Sequence, residues 1–170
     1  MNILFKYLSI IFVFLIPFPQ LFAQSQHFRA YGIDEGLSQS YVYSLMQDEK
    51  GYVWIGTGDG LSKFNSRKFT NFTTQDSLNE DFVTAMCLDG KGNNWIGHFG
   101  GGLSFYTKKT QQFKKINLTD PISLIKNTSK INKLIKTKDN QVWCLTQNNG
   151  VFLIGENQKI RHFKKGLESI

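Results

Sequence analysis

Three tryptophans, Trp54, Trp95 and Trp143, sit in look-alike surroundings 41 and 48 residues apart. A self-similar unit of this length constrains the fold more than any other feature of a chain, because each copy must be one supersecondary unit that buries its face against the next. The first copy runs from Val42 to Asn65, the second from Val83 to Thr107 and the third from Ile131 to Gly155. Each is followed by a short alternating piece, beginning at Phe69, Phe113 and Ile160.

Within the first copy, residues 42–47, 52–57, 61–64 and 69–73 read as strands separated by turns rich in Gly, Asn and Asp. Short, evenly spaced strands with that punctuation predict antiparallel β-structure. Four strands per period of about 40 residues predict one blade of a β-propeller. The expected class is all-β: a partial propeller of three four-stranded antiparallel blades plus loose end strands. The expected divisions are 1–23 (export signal), 24–41 (outer strand and crossover), 42–82 (first blade), 83–130 (second blade with a long loop) and 131–170 (third blade and the start of the next crossover).

The repeated residues read as scaffold. Asp48-x-x-Gly51-x-x-Trp54 returns as Asp89-x-x-Gly92-x-x-Trp95. Asp accepts hydrogen bonds from its own turn amides, Gly supplies the positive φ of a tight hairpin, and Trp fills the space between blades. The third copy is the most diverged, with Thr137 and Asn140 at the Asp and Gly positions and Cys144-Leu145 in place of Ile-Gly. Gly56 and Gly97 follow the first two tryptophans, and Gly60, Gly102 and Gly150 close a second hairpin before an apolar strand. A glycine-rich phosphate cradle needs a following helix N-terminus, and the pattern supplies none.

The phase of the repeat speaks to the ends. Phe28 to Tyr31 overlays the fourth-strand piece at Phe69, and Phe163 to Ile170 resembles the crossover that precedes each blade. Propellers close with 4 to 8 blades, so three blades and loose ends are expected to be a piece of a longer protein. Ahead of the repeats, Lys6, the apolar run Tyr7–Ile16, Pro17, Pro19 and Leu21-Phe22-Ala23 have the layout of a secretory signal cleaved after Ala23. That run is shorter than the roughly 20 residues of a membrane span. The mature chain is therefore expected beyond the cytoplasmic membrane, in the periplasm, with membrane contact only through export or a downstream anchor.

The formal charge of +7 could suit an acidic partner. The lysines are scattered, however, and the longest basic runs are pairs such as Lys108-Lys109, Lys114-Lys115 and Lys164-Lys165. No arginine-rich helix or groove pattern exists, which argues against nucleic acid. Cys87 and Cys144 lie in apolar strand patterns and are expected as buried free thiols, although export permits a disulfide. His27, His98 and His162 have no metal spacing. His98 replaces a threonine near a loop and is expected at the surface. No cofactor, metal site or catalytic residue is expected.

The residues Gly36, Leu37, Ser38, Asp48, Gly51, Trp54, Ile55, Gly56, Thr57, Gly60 and Leu61 closely resemble the two-component regulator propeller repeat. The second copy matches through Asp89, Gly92, Trp95, Ile96, Gly97, Gly102 and Leu103, and the third mainly at Trp143 and Gly150. The resemblance implies the periplasmic sensor half of a hybrid two-component system of the type common in Bacteroidetes. It also implies oligosaccharide ligands, and further blades and a histidine kinase as partners; the chain itself holds no kinase domain and is not expected to be an enzyme. Ligand-contacting loops would be Gly32–Ser40, Thr73–Asp81 and Asn117–Lys130. Two other readings compete. One is a sialidase- or lyase-like propeller enzyme, for which the three arginines Arg29, Arg67 and Arg161 form no cluster. The other is a structural protein-interaction propeller.

Overall fold

A computed structural model describes residues 28–119, 128–155 and 158–164. The expected export segment 1–23, Pro121 and the expected crossover residues after Lys164 lie outside the described residues. Among the described residues twelve strands form three separate four-stranded sheets, each a simple antiparallel meander. Blade 1 comprises β1 (Val42–Gln47), β2 (Val53–Thr57), β3 (Gly60–Phe64) and β4 (Phe69–Phe72). Blade 2 comprises β5 (Val83–Leu88), β6 (Asn94–His98), β7 (Leu103–Thr107) and β8 (Gln112–Ile116). Blade 3 comprises β9 (Ile131–Lys136), β10 (Val142–Thr146), β11 (Val151–Ile154) and β12 (Ile160–Phe163). Each boundary lies within one residue of the sequence pattern in the first blade. Among the described residues no sheet closes into a ring.

Phe28 to Tyr31, expected as the last strand of a further blade, lies in none of the three described sheets, each of which has its own outermost strand in β4, β8 or β12. The described residues from Tyr31 onward form one compact unit, in which the Tyr31 ring packs on Phe64 and Phe69 with centroids 4.8 and 6.1 Å away. The crossovers into blades 1 and 2 each hold a 3-10 turn, Ile33–Glu35 and Thr74–Asp76, which the repeat pattern did not announce.

The inner strands follow one another, β1 against β5 and β5 against β9. The core is therefore two junctions rather than one centre. Between blades 1 and 2, Trp54, Leu61, Leu78, Val83, Ile96 and Tyr106 are buried together. Between blades 2 and 3, Trp95, Leu103, Ile131, Val142, Cys144 and Phe152 do the same. Each such side chain contributes about 1.5–3 kcal/mol when buried. Gly56 and Gly97 permit the close approach: a Cβ at Gly56 would lie 2.5 Å from Val83 Cγ1, and one at Gly97 2.5 Å from Ile131 Cγ2. Leu145 holds that position in blade 3, where no described blade follows, and there Trp143 is only half-buried. Among the described residues no helix is long and apolar enough to cross a membrane.

Candidate ligand-binding face

The meander sorts the connections to two ends of the blades. The β1–β2 and β3–β4 turns of each blade lie at one end, the hairpin face. The β2–β3 turns and the crossovers lie at the other, the loop face. Asp48, Gly51, Asp89 and Gly92 belong to the hairpin face, and Gly60, Gly102 and Gly150 to the loop face.

The hairpin face is knitted by local bonds. Asp48 Oδ1 accepts from the amides of Lys50 (2.9 Å) and Tyr52 (3.1 Å), and Oδ2 accepts from Trp54 Nε1 (2.9 Å). Asp89 Oδ1 accepts from the amides of Lys91 and Asn93, but its Oδ2 takes the Asn93 side-chain amide instead of an indole. In blade 3, Thr137 Oγ1 accepts from Gln141 N at 3.0 Å. Gly51, Gly92 and Asn140 have φ of 83°, 74° and 57°, so Asn140 adopts the left-handed conformation that glycine holds in the other copies.

The loop face is tied down by its crossovers. The Gly58 amide donates to Gln39 Oε1 (3.0 Å), and the Gly100 amide donates to Glu80 Oε2 (2.6 Å) at the equivalent site. The Gly60 amide donates to the Asp81 carbonyl at the start of the next blade, and the amides of Phe99 and Gln147 donate to the carbonyls of Phe82 and Lys130 at the start of their own blades. Of the three expected loops, 32–40 and 73–81 lie on this face; of 117–130, residues 120–127 lie outside the described residues.

The inner strands then shape the face. Each carries a bulge one residue in from its loop end, opposite Thr57, His98 or Thr146. A bulge leaves one residue unpaired and re-aims its side chain. In blade 2 that residue is Thr84, whose hydroxyl donates to the Ile131 carbonyl of blade 3 at 2.6 Å. In blade 1 it is Tyr43, whose ring meets Phe82 with centroids 4.6 Å apart. Phe82 stacks on Phe99 at 4.8 Å, and Lys130 Nζ lies 5.8 Å from the Phe99 ring. The result is an aromatic row across blades 1 and 2, ending at the lysine that opens blade 3. Tyr43 and Phe99 are each 47% exposed. Sequence reading missed this row because Tyr43 and Phe99 stand where the other copies have Thr84, Asn132 and Gly58. The departures from the repeat were the available signal.

His98 is not at the surface. It is fully buried, in the repeat position where Thr57 and Thr146 cap their own hairpins by donating to the carbonyls of Gly60 and Gly150. Its Nε2 lies 2.7 Å from Ser104 Oγ, which also accepts from the Asn79 amide, and its Nδ1 has no hydrogen-bond partner among the described residues. Burial pulls its pKa down to about 4, against weaker opposing effects of the Phe82 and Glu80 carbonyls and the Asp81 charge. The position's identity in the other copies would have revealed the burial. Cys87 and Cys144 are free thiols in the blade 2–3 junction, and burial pushes both up to about 12, so neither is a ready nucleophile. Among the described residues no group of three or more His, Cys, Asp or Glu side chains could hold a metal ion.

Residues 36–59 match the two component regulator propeller family. Over 69 residues the chain is 39% identical to histidine kinase P4 of Formosa agariphila, a match covering 39% of this chain and 4% of that protein. The fold is similar to the extracellular domain of BT3049 from B. thetaiotaomicron, described as a hybrid two component system, with TM-score 0.70 and 24% identity over 81% of this chain and 20% of that one. It is also similar to PorZ, a surface component of the type-IX secretion system of Porphyromonas gingivalis, with TM-score 0.63 and 16% identity over 83% of this chain and 23% of that one. The chain thus spans a small part of each of these proteins.

Proposed function

We propose that this chain, which carries the two component regulator propeller repeat, is part of the extracytoplasmic ligand-sensing module of a two-component receptor, and that its loop face takes oligosaccharides. The observation that carries this reading is the matched stretch itself. Residues 36–59 run from the loop-face crossover, through β1 and β2, to the next loop-face turn. They include Tyr43, the start of the aromatic row.

The oligosaccharide part of the proposal rests on that row. Exposed, mutually braced rings present large apolar faces at little entropic cost, which suits the C–H faces of a sugar. Glu80 and Gln39 flank them with acceptors already oriented by backbone amides. Further blades and a histidine kinase are the partners this role requires. The export segment completes the proposal, with cleavage after Ala23 placing the blades outside the cytoplasmic membrane.

Calorimetric titration against a panel of neutral and acidic oligosaccharides, with the chain alone and with its blades in a complete propeller, tests the ligand class. Binding that Phe99→Ala abolishes is expected. Silence across all sugars would remove the carbohydrate reading. Mass spectrometry of the exported protein is expected to find Gln24 at its N-terminus.

A further inference from the structure

The fold sorts charges that look scattered along the sequence. Among the described residues, the loop face carries the carboxylates Asp34, Glu35, Asp59, Asp76, Glu80 and Asp81, with Lys130 and Lys164 opposing them. The hairpin face is the reverse. Its turns present Lys50, Lys91, Lys108 and Lys109 at the blade 1–2 junction, and Arg67, Lys68, Lys138 and Lys159 elsewhere. Against these eight bases stand four described acids: Asp48 and Asp89, which accept from turn amides, Glu49, which bridges to Lys108 at 2.6 Å across the two blades, and Asp139 in the blade 3 turn.

Four of these lysines converge. Lys50, Lys91, Lys108 and Lys109 line one open concavity of about 530 Å3, together with Asn93. The convergence depends on the junction, since Lys50 comes from blade 1 and the other three from two turns of blade 2. Like charges gathered in a concave surface raise the local concentration of counter-charged ligand.

We propose that this groove binds a linear polyanion, an acidic glycan chain bearing a carboxylate or sulfate on successive sugars. The inference goes beyond the loop-face reading and does not depend on it, since the two sites lie at opposite ends of the blades. Two features favour a soluble chain over a lipid surface. The site is a groove across a junction rather than a plane. Moreover, an interfacial membrane site needs apolar side chains to insert, and none of the large exposed apolar residues lies on a hairpin turn; Tyr41, Leu45, Phe99, Ile135 and the others are on strands, crossovers or the loop face. Lysine rather than arginine suits a point-charge contact with a hydrated strand of charges.

The test uses the full chain and labelled polygalacturonate, with dextran sulfate as a second probe, by fluorescence anisotropy over a salt series. Saturable binding that weakens with salt is expected. Replacing Lys50, Lys91, Lys108 and Lys109 together by Gln is expected to weaken it about tenfold, the low end of what focused charge contributes. The same four-charge change at Lys114, Lys115, Lys133 and Lys136, all exposed on strands, is expected to leave it within about twofold. Circular dichroism checks that both variants fold. Equal loss in the two variants would mean net charge alone is responsible, and no binding of either polymer would remove the site; either result overturns the proposal. So would equally tight binding of anionic phospholipid vesicles, which would assign the face to a membrane surface. Loss of oligosaccharide binding by Phe99→Ala with polygalacturonate binding intact separates this site from the loop face.

Discussion

The two blade junctions are built on one plan, yet they differ at their hairpin ends. Between blades 1 and 2, Trp54 is 1% exposed and its indole N–H is held by Asp48. Lys63 lies over it, with Nζ 4.8 Å from the Trp54 ring and 4.2 Å from Tyr52, and burial lowers the Lys63 pKa against the pull of Asp48. Between blades 2 and 3, the residue equivalent to Lys63 is Phe105, which packs on Trp95 with centroids 4.6 Å apart. Asp89 there holds Asn93 rather than the indole. Both junctions open at the hairpin end to a small cavity: the first is closed by the polar and aromatic groups of Asp48, Lys63, Asn94 and Tyr106, and the second by the apolar rings of Trp95 and Phe105, with Asp89, Asn93 and Asn140 at its rim. One repeat tolerates both, because the β-ladder and the glycine approach set the blade spacing while the third-strand side chain only fills the gap.

The largest effect should come from the fillers themselves. Trp54→Ala or Trp95→Ala is expected to cost about 3–5 kcal/mol of unfolding free energy by leaving a cavity. Trp143→Ala, at the half-buried third site, should cost distinctly less in the same urea titrations. Equal losses at all three would show that blade 3 is covered as fully as the others in solution.

Next comes the glycine approach. Gly97→Ala sets a methyl against Ile131 and is expected to cost about 1–3 kcal/mol, as overpacking does. Leu145→Ala at the equivalent place in blade 3 is expected to cost less than Gly97→Ala. The aspartates sharpen the contrast. Asp48→Ala strands a buried indole N–H and should cost about 1–3 kcal/mol. Asp89→Ala strands only an amide closer to solvent and should cost less; the reverse order would break the distinction drawn between the junctions.

The pH effect is smaller over the neutral range. His98 titrates near 6.5 when unfolded and about 4 when folded, so between these values the unfolded chain binds more protons. Its contribution is constant above about pH 6.5, and stability is expected to fall as pH drops from there to about 4. His98→Thr, which restores the residue of the first and third blades, should flatten that slope. An unchanged slope would place the titration elsewhere.

Most of the scaffold was legible in the sequence because it repeats. The Asp, Gly and Trp spacings require a fixed hairpin, and positive φ at Asn140 follows from the two glycines it aligns with. The candidate site was legible only where the copies disagree. Tyr43 sits on a bulge, and a bulge is invisible to a strict two-residue alternation. His98 looked like a lone loop histidine until the position was read through Thr57 and Thr146. The basic groove could not be read at all, because its lysines are brought together by blade packing from turns up to 59 residues apart, as the Lys108–Glu49 bridge illustrates.

Amide hydrogen exchange with and without a bound oligosaccharide tests the central claim, sensing at the loop face, most directly. Added sugar is expected to slow exchange at the amides of Gly58, Gly60, Phe99 and Gly100, with the hairpin turns at Lys50–Gly51 and Lys91–Gly92 unchanged. Protection at the hairpin turns alone, or no protection with any sugar, would contradict it.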